Sequence, residues 1–126
     1  MYKIEVTGHS ASAFKVKSKD YEFIVDIKGA GITPPDTLLA SLGSCIGVYL
    51  RKYCEGTKIT LGDFKITVEA DLGSEQPLCF RKINVSIDLY GLEFDERRKE
   101  ALLRFLKNCP VHNTLEARPQ VEFNLI

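Results

Sequence analysis

Residues 33–56 constrain the fold of this chain more than any other stretch. Apolar side chains recur there every three or four positions, which is the spacing of one buried face of an α-helix. We expect Pro34 and Pro35 to hold the chain extended ahead of the helix, Asp36 to cap its first turn and Gly56 to end it. The apolar stripe consists of Leu38, Leu39, Leu42, Ile46, Tyr49, Leu50 and Tyr53.

In the middle of this predicted helix, Cys45 lies between Gly43 and Gly47. Each glycine makes a helix interior less stable than alanine would, by roughly 1 kcal/mol. Close approach of another backbone, or room for a ligand beside the Cys45 sulfur, would offset that loss. A small buried cysteine under tight helix packing fits the same pattern, so both interpretations stay open at this point.

Length and composition indicate one ordinary globular domain over residues 1–126, with 44% hydrophobic and 27% charged residues. The 17 basic residues balance the 17 acidic ones, which argues against a general nucleic-acid-binding surface. We find no signal-peptide pattern and no apolar run of membrane-spanning length. The expectation is a cytoplasmic protein with neither nucleic acid nor membrane as a partner.

Four cysteines in a cytoplasmic chain should be reduced at rest. They form no CxxC pair, so a structural zinc site has little support, although zinc held by Cys45, Cys109 and His112 stays open as an alternative. For Cys54 and Cys79 we expect a structural role only.

The order of elements predicts an α+β fold. Alternating apolar residues indicate two or three antiparallel strands within residues 2–28 and further strands at 64–70, 78–89 and 121–125. A helix should begin at Asp95 and end near Asn108. Lys15, Lys17 and Lys19 alternate along one early strand, where they form either a solvated row or a source of positive charge.

Pro110 predicts the first residue of a short helix, 110–117, which makes Cys109 its N-cap. Unpaired amide groups point toward an N-cap, and the helix dipole favours an anion there. A thiol at this position tends to have a lowered pKa, and His112 could approach the same sulfur. If Cys45 and Cys109 meet, they could cycle between dithiol and disulfide. A cysteine that only caps and packs is the alternative.

Two segments together resemble the OsmC/Ohr family, the osmotically inducible protein C and organic hydroperoxide resistance proteins. They are Thr33-Pro-Pro-Asp-Thr-Leu-Leu-Ala-Ser-Leu-Gly-Ser-Cys45, continuing to Arg51, and Cys109-Pro-Val-His-Asn-Thr-Leu115. The resemblance implies an OsmC-like fold, with antiparallel sheets wrapped around a long buried central helix, in an intertwined homodimer. It also implies that Cys45 attacks a hydroperoxide and that Cys109 resolves the product to a disulfide. A dithiol or lipoyl-type reductant would restore the pair, and no metal, flavin or haem is needed.

The sequence departs from that family at the charged groups. The family's peroxidases use an arginine from the N-terminal strands, whereas this chain has no arginine before Arg51. Lys15, Lys17 or an inward-pointing Arg51 would have to replace it, and a lysine lacks the planar fork of arginine. Asp36 follows one residue after the position where the family's glutamate is expected. An alternative function is therefore a dimeric protein that binds an apolar ligand at the interface without turnover.

Overall fold

Two antiparallel sheets and three helices make up the computed structural model, which describes residues 1–126. The predicted α+β class is confirmed. In chain order the elements are β1 (Glu5–Gly8), β2 (Ala13–Ser18), β3 (Tyr21–Asp26), α1 (Pro34–Gly56), β4 (Lys65–Ala70), β5 (Ile83–Asp88), α2 (Glu96–Leu106) and α3 (Pro110–Ala117). Backbone contacts divide the chain into two units, Met1–Ala40 and Ser41–Ile126. A single domain over residues 1–126 stays a prediction.

The first unit contains an antiparallel sheet in the order β1-β2-β3. Val16 pairs with Val6 on one side and with Phe23 on the other, so these three side chains share one face. A sheet of this kind normally packs its apolar face against a core. Here Val6 is 61% exposed and Phe23 is 47% exposed. The apolar face therefore keeps much of its surface open within this chain.

A tight loop after β3 leads toward α1. The buried Asp26 side chain accepts a hydrogen bond from the Lys28 amide at 2.8 Å. That bond, with further hydrogen bonds from the Ser12 hydroxyl and the Ala30 amide, holds the pKa of Asp26 below its ordinary value. Glycine is required at position 31, because a Cβ there would lie 2.6 Å from the carbonyl oxygen of Ile24.

Helix α1 begins two residues earlier than the sequence predicts. Pro34 and Pro35 form its first turn, since proline has the helical φ and lacks an amide that would otherwise be unpaired there. Thr33 is the capping residue. Its Oγ1 accepts from the Asp36 amide at 3.3 Å and donates to the Asp36 carboxylate at 2.9 Å. The Thr33 hydroxyl thus caps the first turn of α1 and is itself held by the Asp36 carboxylate. The predicted end at Gly56 is confirmed.

The second unit places the hairpin β4–β5 against α1. Gly43 and Gly47 leave the room that this packing needs, because a Cβ on Gly43 would lie 3.0 Å from Val68 Cγ2. A Cβ on Gly47 would lie 3.5 Å from Ile66 Cδ1. Side chains of β4 therefore occupy the space beside the two glycines. The two glycines therefore allow close packing of β4 side chains on α1, and room for a ligand beside the Cys45 sulfur stays a prediction.

A buried core joins α1 to α2 and to the start of α3. Tyr49 and Tyr53 of α1 extend it, since both rings contact Phe105 of α2, with centroid distances of 6.0 and 5.5 Å. The hairpin side chains cover the glycine-bearing side of α1, whereas the two tyrosines face α2. The fully packed members of the core are Leu42, Ile46, Leu50, Cys54, Leu102, Leu106 and Cys109.

Three predicted boundaries need correction. The strand expected at 78–89 is limited to β5, and Lys19 lies in a turn at φ 46° beyond β2. Residues 121–125 form no strand, and Phe123 is 93% exposed. Alternation alone does not make a strand, because its backbone groups need a hydrogen-bonding neighbour. No helix is both long enough and apolar enough to cross a membrane.

Candidate functional site

Cys109 is held in place by the junction between α2 and α3. It is the N-cap of α3, as the sequence predicts, and Pro110 follows it at the first helical position. Its amide donates to the Leu106 carbonyl at 3.2 Å, and its carbonyl accepts from the Asn113 amide at 2.9 Å. The Cys109 side chain is fully buried, with 0% of its surface exposed.

The structure brings Cys45 and Cys109 together. Cys45 packs against the core that contains Cys109, and both are free thiols. The Cys45 side chain is a hydrogen-bonding neighbour of Cys109. Cys45 is partly exposed, whereas Cys109 is enclosed. Two cysteines that lie far apart in the sequence are thus neighbours at the start of α3.

The predicted lowering of the Cys109 pKa is wrong. Burial raises the pKa of the Cys109 thiol, and its interaction with Cys45 raises it further. The amide groups of His112 and Val111 act in the opposite direction, and the His112 amide lies 3.4 Å from Cys109 Sγ. The amide groups at the start of α3 therefore favour the Cys109 thiolate, but the effect of burial on the pKa is larger.

The His112 ring has its polar partners on α3 itself. Nε2 of His112 lies 3.7 Å from Glu116 Oε1, one turn further along α3, and Nδ1 lies 3.3 Å from Asn113 Oδ1. No group of three or more histidine, cysteine, aspartate or glutamate side chains could hold a metal ion. The zinc alternative that combined Cys45, Cys109 and His112 therefore finds no such site.

Arg51 lies on the hairpin side of α1. Its guanidinium carbon is 5.4 Å from the centroid of the Phe64 ring, a distance at which a cation and an aromatic face attract. Phe64 also lies beside Gly47. Tyr49 and Tyr53, in contrast, face α2. Arg51 therefore has a structural partner on the side of the helix that faces away from α2.

The other charged candidates belong to the first unit. Lys15 Nζ lies 4.0 Å from Glu22 on the neighbouring strand, and Lys17 is paired in register with Glu5 and Glu22. The Asp36 carboxylate accepts a hydrogen bond from the Thr33 hydroxyl at the start of α1, which gives that carboxylate a local structural role. A function for these side chains at the cysteines stays a prediction.

The two remaining cysteines have contrasting surroundings. Cys54 is buried within the core of α1, where burial raises the pKa of its thiol. Cys79 is exposed and lies in the segment before β5. Neither Cys54 nor Cys79 influences the Cys109 thiol as Cys45 does.

Comparison with models of protein families shows which family this chain belongs to. The family model described as OsmC-like protein matches residues 27–124, which include all of α1, the hairpin β4–β5 and both later helices. The chain belongs to the OsmC-like family. Among curated proteins, no relative matches this OsmC-like sequence with significant similarity.

Solved structures share the fold of this OsmC-like protein. An OsmC-like protein from Mycoplasma pneumoniae superposes with a TM-score of 0.82 at 21% identity, covering 92% of this chain and 87% of that one. An organic hydroperoxide resistance protein from Legionella pneumophila gives a TM-score of 0.64 at 22% identity, with coverages of 91% and 90%. One from Elizabethkingia anophelis gives 0.60 at 22% identity, with coverages of 90% and 88%. At sequence identities this low, the structural similarity to these proteins establishes the fold of this chain and no more.

Three aromatic rings pack between α1 and α2 of this OsmC-like protein, and this contact was not predicted from the sequence. Tyr49 and Tyr53 follow Cys45 at intervals of four residues, so they lie on the same helix face. The spacing of the two tyrosines predicts that both belong to the buried face of α1. It does not predict their contact with Phe105, because Phe105 belongs to a different helix.

Proposed function

We propose that this protein is a thiol-dependent peroxidase for organic hydroperoxides or hydrogen peroxide. The Cys45 sulfur attacks one peroxide oxygen, the O–O bond breaks, and Cys45 becomes a sulfenic acid while the other oxygen leaves as an alcohol or water. Cys109 then attacks the Cys45 sulfur and forms a disulfide with loss of water. The observation that carries the proposal is the direct neighbourhood of these two free thiols.

The roles follow from the difference in exposure between the two sulfurs. Cys45 is partly exposed and can meet a dissolved peroxide, whereas Cys109 is enclosed and can meet only what Cys45 becomes. Membership in the OsmC-like family agrees with this assignment, and two proteins of the same fold are described as organic hydroperoxide resistance proteins. A dithiol of the lipoyl type is the proposed reductant, and the sulfur chemistry itself requires no cofactor.

Oxidation of the whole protein tests this proposal. A small excess of cumene hydroperoxide or hydrogen peroxide should remove two of the four thiols per chain. Peptide mapping should find a Cys45–Cys109 disulfide, while Cys54 and Cys79 in the same sample serve as internal controls. Loss of thiols at Cys79 alone would contradict the assignment. Retention of all four thiols, with a thermal shift by an apolar ligand, would favour the binding function without turnover.

We also propose that the functional form is a homodimer in the cytoplasm. The supporting observation is the apolar face of the β1–β3 sheet, which includes Phe23 at 47% exposure. The alternating segment 121–125 likewise lacks a neighbouring strand. A second copy of the chain could cover the face and pair with the segment. Lys15 or Lys17 is the proposed cation for the peroxide site.

Light scattering after size-exclusion chromatography tests the dimer. The parent chain should have twice its monomer mass of 14.2 kDa. Phe23→Asp should weaken association at least about tenfold, because a charge at an apolar interface loses its hydration. Thr7→Asp adds the same charge to the opposite face of the sheet and should retain the dimer. A parent protein that is monomeric at micromolar concentration would contradict the proposal.

A further inference from the structure

One strip of the α1 surface carries a thiol, an aromatic ring and a cation in succession. Cys45, Tyr49 and Lys52 are spaced by four and then three residues, so they follow one another along the same face of the helix. Cys45 and Tyr49 are partly buried, whereas Lys52 is exposed. The helix surface beside Cys45 therefore leads to an aromatic ring and then to a positive charge.

The Lys52 side chain lies over the Tyr49 ring. Its Nζ is 4.7 Å from the ring centroid, a distance at which an ammonium group is attracted to an aromatic face. Helix side chains lean towards the N-terminal end of the helix, so Lys52 extends back over the turn that contains Tyr49, in the direction of Cys45. Lys52 belongs to none of the ion pairs of this chain. Its charge is therefore available to an anion from solution.

The Tyr49 ring is held by α2. Its centroid lies 6.0 Å from that of Phe105, and the two rings are tilted by 49°. Phe105 in turn lies 5.5 Å from the Tyr53 ring. Tilted aromatic pairs at such distances attract each other, so the ring beneath the Lys52 ammonium group has a defined orientation. Contacts between two helices thus set the position of the cation on the face of Cys45.

The second basic residue of α1 lies on a different face. Helix α1 contains two basic residues, Arg51 and Lys52. The Arg51 guanidinium carbon lies 5.4 Å from the centroid of the Phe64 ring, on the side of the helix that faces away from α2. Glu55 comes three residues after Lys52 and is further from Cys45 along the helix. Lys52 is therefore the cation that α1 places on the face of Cys45.

We propose that Lys52, held over the Tyr49 ring, selects organic hydroperoxides that carry a negatively charged group for reaction at Cys45. This inference rests on the proposed peroxidase function and names its substrate class. The peroxide group meets the Cys45 sulfur, an apolar part of the substrate lies against the Tyr49 ring, and the anionic group binds the Lys52 ammonium. Lys52 acts at the end of the substrate that is remote from the peroxide, so its role differs from that of the cation proposed for the peroxide group itself.

The spacing along the helix sets the size of such a substrate. Seven residues separate Cys45 from Lys52, which is about 10 Å along the axis of an α-helix. The lysine side chain covers part of this distance, because it reaches back over Tyr49. A benzene ring with a hydroperoxide at one end and a carboxylate at the other covers the rest.

Two aromatic disulfides test the selection without peroxide. Dithiobis(nitrobenzoate) carries a carboxylate on each ring, whereas dithiodipyridine is uncharged in neutral solution. With either reagent the Cys45 sulfur attacks one reagent sulfur, the S–S bond of the reagent breaks, and an aryl thiolate leaves as a mixed disulfide forms. A Cys79→Ser background keeps Cys45 as the accessible thiol, because Cys54 and Cys109 are buried.

Lys52→Gln should slow the reaction with dithiobis(nitrobenzoate) about fivefold at low salt, the upper range for an ion pair at a protein surface. The rate with dithiodipyridine should stay unchanged, whereas a lower thiolate fraction at Cys45 would slow both reagents alike. Lys52→Arg should retain the parent rates. The matched control is Lys65→Gln, since Lys65 is exposed and alternates with Ile66, which packs against α1. Equal effects of Lys52→Gln on the two reagents, or no effect on either, would overturn the proposal.

The contribution of the Tyr49 ring is tested by two variants of that residue. Tyr49→Phe keeps the ring and should keep the preference for the charged reagent. Tyr49→Leu removes the surface that holds Lys52, so the preference should fall to that of Lys52→Gln. Circular dichroism checks that both are folded, and the Lys52 variants decide alone if Tyr49→Leu is not. A folded Tyr49→Leu protein with the full preference would overturn the role of the ring.

Steady-state kinetics applies the same comparison to the substrate. Cumene hydroperoxide is compared with its analogue that bears a carboxylate para to the hydroperoxide-bearing carbon. Lys52→Gln should raise KM for the carboxylate about fivefold, with kcat unchanged, and should leave both constants for cumene hydroperoxide unaltered. A parent protein that reduces both peroxides without preference would overturn the substrate class and leave the peroxidase function intact. If the parent reduces neither peroxide, the peroxidase function is wrong, and the two disulfides still decide the role of Lys52.

Discussion

Replacing Cys45 by serine is expected to lower peroxide consumption at least about 10³-fold, because a hydroxyl cannot take the place of the attacking sulfur. The measurement is the initial rate of cumene hydroperoxide loss with a dithiol reductant in excess. Cys79→Ser is the matched control, since it removes one exposed thiol from the same chain. Consumption by Cys45→Ser at the parent rate would rule out Cys45 as the attacking residue.

Cys109→Ser should separate the two halves of the same reaction. One equivalent of peroxide should still be reduced, and Cys45 should then be trapped as a sulfenic acid that reacts with dimedone. With more peroxide, the trapped sulfur should proceed to the sulfinic acid. A Cys109→Ser protein that forms a disulfide between Cys45 and Cys54 would show that Cys109 is replaceable as the resolving residue.

Leu102→Ala is expected to destabilise the protein by about 2–5 kcal/mol, the range for truncating a leucine in a packed core. Leu102 is only 4% exposed and belongs to the core that includes Cys109. Loss of its side chain would leave a cavity beside the elements that position the dithiol. Urea denaturation followed by circular dichroism measures the change in the free energy of unfolding.

The adjacent Leu103 supplies the control for this measurement. It lies on the same helix and is 49% exposed, so Leu103→Ala changes helix propensity by the same amount without creating a comparable cavity. We expect a loss below about 1 kcal/mol, as for most exposed positions. Equal effects of the two substitutions would mean that Leu102 is not the buried member of the pair.

Helix α3 shows how much local sequence can predict. Pro110 at the first helical position and Pro119 beyond the end limit the helix from both sides, and the predicted bounds Pro110–Ala117 are confirmed. Cys109 as N-cap follows from the same local rules. Local rules do not predict the contact between Cys45 and Cys109, because it depends on packing between α1 and α3, which are distant in the sequence.

The raised pKa of the Cys109 thiol could not be predicted from its position alone. The helix start favours the thiolate, but the burial that outweighs it comes from side chains spread over α1 and α2. Residues 121–125 illustrate the same limit for secondary structure. Their alternation is typical of a strand, yet strand formation depends on a neighbour that a local pattern does not specify.

The unequal exposure of the two sulfurs also bears on how the oxidised protein returns to its starting state. Because Cys109 is fully buried and Cys45 is partly exposed, an incoming thiol should reach the proposed Cys45–Cys109 disulfide only at the Cys45 sulfur. The transient adduct should therefore be carried by Cys45, and Cys109 should be the leaving group. Oxidation by peroxide and reduction by a thiol would then both take place at the Cys45 sulfur.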